Sequence, residues 1–241
     1  MAMVNRTSLA ALCAAYLSAA SGFAETTKVA FQPAYAGACE GCSFEGHQLA
    51  GWAVDGGHYV GARFDAANLR RLSATTANFS SASFAGAALH RANLSHAQLD
   101  GADFTQAQLP DGRLNGAEAT GAVFVDADLR GAHLVGSTLF RADLAAARAD
   151  AALFSGANLM GADFSGASLR DAVFDGANLG GTHFQGADIT GASFLDARLS
   201  SADLSLATGF HAADFSGACM NANTRFPATV SVRLPLCAPE G

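Results

Sequence analysis

A five-residue phrase recurs from residue 44 to residue 204 without losing its frame. Between 152 and 204 it is almost unbroken, as in Ala157-Asn158-Leu159-Met160-Gly161 followed by Ala162-Asp163-Phe164-Ser165-Gly166. Taking the large apolar residue as the centre, the frame has 33 centres, and 30 are Leu, Phe, Ile, Val or Tyr; the others are Ala74, Ala119 and Ala149. Two places before the centre, 25 of 33 positions are Ala. A period of five matches neither the 3.6-residue turn of a helix nor the two-residue alternation of a strand. A helix would smear the apolar residues around its circumference, so the chain must instead turn a corner every five residues.

A second period lies over the first. Every fourth centre gives Phe44, Phe64, Phe84, Phe104, Phe124, Leu144, Phe164, Phe184 and Leu204, seven Phe in nine. The column from Leu49 continues Leu69, Leu89, Leu109, Leu129, Ala149, Leu169 and Ile189, and the column through Phe154, Phe174 and Phe194 turns aromatic only in the second half. Residues that keep their type at a spacing of 20 are expected to stack. This implies a coil of four pentads, each side of a square placing one large side chain inward. With coils at the strand spacing of about 4.8 Å, some nine coils make a rod of roughly 43 Å.

Volume accounts for the Ala. Four large groups fill the bore, and close packing leaves room for only a methyl beside each. The Phe column therefore reads as core, each ring contributing roughly 1.5–3 kcal/mol by burial, and not as a ligand box. The pattern resembles the pentapeptide-repeat family, whose phrase is A(D/N)LXX, across about residues 39–222. The resemblance implies an all-β fold, a right-handed quadrilateral β-helix whose coils pair by backbone hydrogen bonds. It also implies that the middle, fourth and fifth residues of each pentad face solvent.

An uninterrupted repeat makes one solenoid of the chain. Residues 1–24 read as a secretory signal: Arg6 is the only charge, an apolar run spans 9–20, and Gly22-Phe23-Ala24 suits cleavage after Ala24. The run is too short for a membrane anchor. A lipoprotein reading on Cys13 fails because Leu12 precedes it. Cleavage leaves 13 basic and 21 acidic groups, a net charge of −8, which argues against direct nucleic-acid binding. Residues 25–38 are expected to be irregular, and 223–241 to form a C-terminal capping tail.

Cys39, Cys42, Cys219 and Cys237 stand at the two ends of the repeat and nowhere in its middle. In an oxidising compartment an even count reads as disulfides. Four cysteines allow three pairings; Cys39 with Cys42, and Cys219 with Cys237, would staple the first and last coils. The Cys39-x-x-Cys42 motif is not a haem site, since Ser43 follows. A zinc site would need two further ligands, with His47 a single candidate, and a thioredoxin-like role wants a βαβ setting that is absent.

Three places depart from the phrase. At 45–61, His47, Trp52 and Gly57 replace Ala; Trp52 exceeds a methyl's space, so a distorted capping coil is expected. Pro110 must occupy a corner where no coil-to-coil N–H is needed. After Leu204 the spacing resumes one place late at Phe210, Phe215 and Met220, predicting a bulge over 206–210. Alternation over 229–234 predicts a short capping strand held by Cys237.

No catalytic motif is present. Lys28 is the one lysine, so no phosphate-binding GxxxxGK[ST] loop exists, and neither G-x-S-x-G nor HExxH occurs. His90, His96, His133 and His183 lack the spacing of stacked metal ligands and read as surface groups. No cofactor, metal or enzymatic activity is expected. The densest constellation is acidic: Asp103, Asp143, Asp163 and Asp203 share one outward column, interrupted by Arg63, Ser83, Val123 and His183. Family members that bind DNA gyrase are read as acidic duplex mimics, so the resemblance offers that role as an alternative; a CxxC redox protein is a second. The reading preferred on sequence is an exported scaffold, periplasmic or extracellular, with no transmembrane span once matured. It offers flat faces to a protein or cell-envelope partner.

Overall fold

The protein is described by a computed structural model covering residues 37–230 and 234–238. Each pentad ends in the same turn. The N–H of the inward small residue donates to the carbonyl of the preceding centre, as from Ala67 to Phe64 (3.0 Å) and Ala107 to Phe104 (2.9 Å). The third residue of this β-turn has positive φ, as at Gly86 (64°) and Arg91 (57°), the conformation such a turn demands and glycine adopts most easily. Glycine therefore recurs at the fifth place of the phrase. Pro110 takes the second turn position, which suits its fixed φ; its carbonyl accepts from Arg91 N–H at 3.0 Å.

Four turns close one coil, and coils pair in parallel at a register of 20. One ladder runs Ser43, Arg63, Ser83, Asp103, Val123, Asp143, Asp163, His183 and Asp203. A typical side is fastened to its neighbours through the centre, middle and fifth residues. Phe84 N–H donates to Asp103 O (2.7 Å), Asp103 N–H to Ala82 O (2.9 Å), and Gly86 N–H to Thr105 O (2.9 Å). Every pairing among the described residues is an isolated bridge and none extends into a strand, because a corner every five residues leaves one residue per side in bridging position. The backbone groups are satisfied between coils, as a buried polar chain requires.

The bore holds the predicted stacks. Phe44, Phe64, Phe84, Phe104 and Phe124 lie ring over ring at 4.8–4.9 Å and within 7° of parallel. Leu144 interrupts the pile; Phe164 and Phe184 resume it at 5.2 Å, and Leu204 is buried above them. A second pile, Phe154, Phe174, Phe194 and Phe215, has spacings of 4.7–5.0 Å and meets the first edge to face, the favourable aromatic arrangement. Ser137 and Thr182, which stand in Ala positions, are fully buried. Their hydroxyls donate to Leu134 O (2.7 Å) and Leu179 O (2.8 Å), removing the penalty of a buried polar group.

The structure corrects several expectations. The coil at 45–61 is not distorted: Ala53 pairs with Ser73 and His58 with Asn78 in the ordinary register. Trp52 is 7% exposed and packs on Phe44 and Tyr59, both at 5.4 Å between centroids. Volume is exchanged with neighbours instead. Gly57 makes room for the Tyr59 ring, since a Cβ there would stand 2.5 Å from Tyr59 Cε2. One coil on, Leu72 fills the Ala place while Ala74 fills the centre, both buried. The repeat begins by Gly37 and Ala38, the first accepting from His58 N–H (2.8 Å) and the second already bridged to His58; residues 25–36, like the signal at 1–24, lie outside the described residues.

The bulge also falls later than expected. Thr208 keeps the register of 20 with Asp188, and only Asp214 opposite Ser193 is one late. The extra residue is absorbed in a 3-10 turn at Phe210–Ala212 entered through Gly209 (φ 78°). A Cβ on Gly209 would meet Thr190 Oγ1 at 2.1 Å, so this corner admits only glycine. A further residue is inserted before Arg225, which faces Asp203. The tail pairs through Leu236, beside Met220, with Cys237 N–H donating to Met220 O (2.9 Å). The pairing thus lies beyond the predicted 229–234 strand, of which 231–233 are outside the described residues.

Candidate functional site

The acidic column is built from the middle residue of successive pentads on one side. Asp143 and Asp163 are direct bridge partners, whereas Val123 separates Asp103 from Asp143 and His183 separates Asp163 from Asp203. One adjacent carboxylate pair results, not a continuous stripe. All four side chains are half-buried and already engaged. Each bonds the backbone N–H two residues on: Asp103 to Thr105 (2.8 Å), Asp143 to Ala145 (3.0 Å), Asp163 to Ser165 (2.8 Å) and Asp203 to Ser205 (3.0 Å). Asp203 also meets Arg225 Nη1 at 3.0 Å.

The same bond recurs on other sides, at Asn78, Asn93, Asp128, Asn158, Asp188 and Asp214. It satisfies the N–H of the second turn residue, the donor that the coil ladder leaves free. This is why the phrase prefers Asp or Asn: a short side chain with an acceptor oxygen fastens the corner in an Asx turn. Asp163→Asn is therefore expected to keep the acceptor and change stability by under about 0.5 kcal/mol, while Asp163→Ala loses about 1 kcal/mol. Paired urea melts check this, and equal losses would separate the corner from its carbonyl-type acceptor.

A second set of acids ties coil to coil from the fourth place of the pentad. Asp55 accepts from Thr75 N–H (2.7 Å) and from the hydroxyls of Ser73 and Thr75; Asp65, Asp150 and Asp175 repeat the motif with Ser83, Ser168 and Ser193. Hydrogen bonds depress several carboxyls below the usual range: Ser205 bonding does so for Asp203, Thr190 and then Arg170 for Asp188, Arg130 for Asp128, and Ser216 for Asp214. A depressed folded-state pKa contributes stability above the unfolded value of about 3.9, lost as pH falls through the folded value. The melting temperature is expected to drop between about pH 5 and pH 2, readable by circular dichroism; a flat profile would contradict the bonding.

The structure places Cys39 and Cys42 in one disulfide and Cys219 and Cys237 in another, with Cα–Cα separations of 5.5 and 4.7 Å. Cys39 points into the first coil at 7% exposure. The second bond ties the last coil to the tail, where Arg198 Nη2 also donates to Ala238 O at 3.0 Å. His47 turns away to Glu45 O (Nδ1 at 2.9 Å). Among the described residues no group of three or more His, Cys, Asp or Glu converges as a metal would need, and no helix is long and apolar enough to cross a membrane.

Sequence reasoning missed one cluster. Arg70, Arg71, His90, Arg91, Pro110 and Asp111 line a hollow of about 330 Å³ at one corner, adjoined by a second of about 380 Å³ lined by Arg91, Asp111, Arg113 and His133. The signal was present as Arg71 and Arg91, like charges at the stacking distance of 20. Burial first, then the charge of Arg70, holds the His90 imidazole below its usual range, although Asp128 and Asp111 oppose this.

The family described as pentapeptide repeats matches in eight copies at 60–97, 97–136, 137–176 and 167–205. Similar solved structures include HetL, a pentapeptide repeat protein involved in heterocyst differentiation regulation from the cyanobacterium Nostoc sp. strain PCC 7120. It is 29% identical over 74% of this chain and 85% of its own, with a TM-score of 0.31. QnrB1, a plasmid-mediated fluoroquinolone resistance protein, is 18% identical over 77% and 90%, with a TM-score of 0.41. A pentapeptide repeat protein of the Arabidopsis thaliana thylakoid lumen is 35% identical over 42% and 60%, with a TM-score of 0.17. No functionally curated protein matches the chain significantly. Since the repeat is matched continuously from 60 to 205, more than half of its 241 residues, the chain belongs to the pentapeptide-repeat family, whose members fold as right-handed quadrilateral β-helices.

Proposed function

We propose that this protein is an exported, non-catalytic rod of about nine coils that presents flat sides to a protein or cell-envelope partner. The observation that carries the reading is the use already made of its polar residues. Most middle-place and several fourth-place aspartates are tied up in fastening corners and coils, leaving the other side chains in fixed rows along each side. Such a surface suits recognition by shape and by pattern. The disulfides at 39–42 and 219–237 fit an oxidising compartment, and the leader reading of 1–24 supplies the route.

N-terminal sequencing of protein recovered from the periplasm or medium tests export, with Glu25 the expected first residue. Retention of the full chain in the cytoplasm would overturn it. Cross-linking in the envelope fraction then identifies the partner. The adjacent Asp143 and Asp163 favour one competing reading, an acidic duplex mimic directed at DNA gyrase. Inhibition of supercoiling by the purified protein would establish that reading in place of the scaffold.

A further inference from the structure

We propose that the corner formed by Arg70, Arg71, Arg91 and Arg113 is a binding site for a multiply charged oxyanion of the phosphate class. It is independent of the flat-face reading and lies outside the acidic column. The whole chain carries a net −7, yet the two adjoining hollows are lined by four arginines and one carboxylate, Asp111.

These arginines also lack internal partners. Elsewhere on the rod, Arg63, Arg130, Arg170 and Arg225 each pair with an acid at 2.6–3.2 Å. Here Arg91 reaches Asp111 only at 3.5 Å with both side chains largely exposed, a geometry that contributes little. Among the described residues, Arg70, Arg71 and Arg113 make no side-chain hydrogen bond or ion pair. Arg71 and Arg91 occupy the same left-handed turn position in consecutive coils (φ 58° and 57°), with Arg71 N–H bonded to His90 O and Arg91 N–H to Pro110 O. Like charges on neighbouring rungs repel, and the repulsion is relieved by an anion placed between them.

The corner is a shallow, open hollow, with Pro110 as one rigid part of its lining. His90 Nδ1 is buried there without a hydrogen-bond partner, alongside Arg70 and Arg91 in the lining. Guanidinium forks match the oxygens of a phosphate and hold them bidentately. Four cations against one carboxylate favour a ligand with at least two negative charges, a pyrophosphate or a phosphomonoester, over a monocarboxylate.

Calorimetric titration of the mature, disulfide-intact protein with inorganic pyrophosphate in about 0.15 M salt, where loose surface attraction is screened, tests the site. One saturable site is expected, weakened about tenfold or more in the Arg71→Gln/Arg91→Gln variant. Arg141→Gln alters the same turn position on another corner (φ 55°) and should leave binding unchanged. The double variant should melt no lower than the parent, which separates lost binding from lost fold. Co-sedimentation with phosphatidic acid vesicles, against phosphatidylcholine alone, shows whether a lipid headgroup supplies the same chemistry. Absence of saturable binding to both probes, or equal weakening by Arg141→Gln, would overturn the proposal.

Discussion

Phe104→Asp is expected to abolish the cooperative thermal transition and leave the chain largely unfolded at room temperature. Phe104 has no solvent exposure and lies 4.8 Å from Phe84 and 4.9 Å from Phe124, nearly parallel to both. Truncating such a ring costs about 3–5 kcal/mol in lost burial and in the cavity left behind. A carboxylate in its place, with no cation inside the bore, adds several kcal/mol more. The sum rivals the roughly 5–15 kcal/mol that holds a whole domain. Because a coil touches only its neighbours, a break at this level also divides the rod. Phe104→Leu serves as the contrast: Leu144 occupies the same column naturally, fully buried, so a loss of only about 1–2 kcal/mol is expected. Circular dichroism melts of the two variants decide the matter, and Phe104→Asp melting like the parent would place Phe104 outside the core.

The second large effect concerns how the bore divides its volume. At 72–74 the phrase is inverted, with Leu72 in the small place and Ala74 at the centre, both buried. Leu72→Ala should therefore open a cavity and cost about 2–5 kcal/mol, and Ala74→Leu alone should overpack the bore by about 1–3 kcal/mol. The double exchange restores the common phrase and should recover most of both losses, a coupling of about 2 kcal/mol or more. Denaturant titrations of the four proteins measure it. Simple additivity would mean that the two positions fill separate spaces.

The acidic column illustrates why a residue pattern can be legible while its purpose is not. Asp103, Asp143, Asp163 and Asp203 were visible as one column from spacing alone, and the structure places them there. Their engagement was not visible, because the bond that Ser165 N–H donates to Asp163 Oδ1 depends on a turn that leaves that donor otherwise unpaired. With the turn in view, the Asp or Asn of the phrase becomes a corner fastener and the column loses most of its claim as a charged stripe. The arginine corner runs the other way. Arg70 and Arg71 are adjacent in sequence, but Arg113 joins them only through the offset between two sides of the coil.

The periodicity by itself determined the coil length, the inward stacks and the place of Pro110, because a repeat of identical units leaves one way to bury identical side chains. Tertiary structure decided what happens where units differ. Trp52 keeps the register of its coil while its ring packs among Phe44, Tyr59 and Phe64, and Gly57 leaves the space that the Tyr59 ring takes, so a residue's fit depends on neighbours several places away as much as on its own size. The extra residue after Leu204 settles beyond Thr208 and not before it, since Thr208 still gains its bridge to Asp188 and Gly209 alone can pass Thr190. A linear pattern records which side chains must go inside; only packing in three dimensions settles how much room each finds and which polar atoms remain free for a partner.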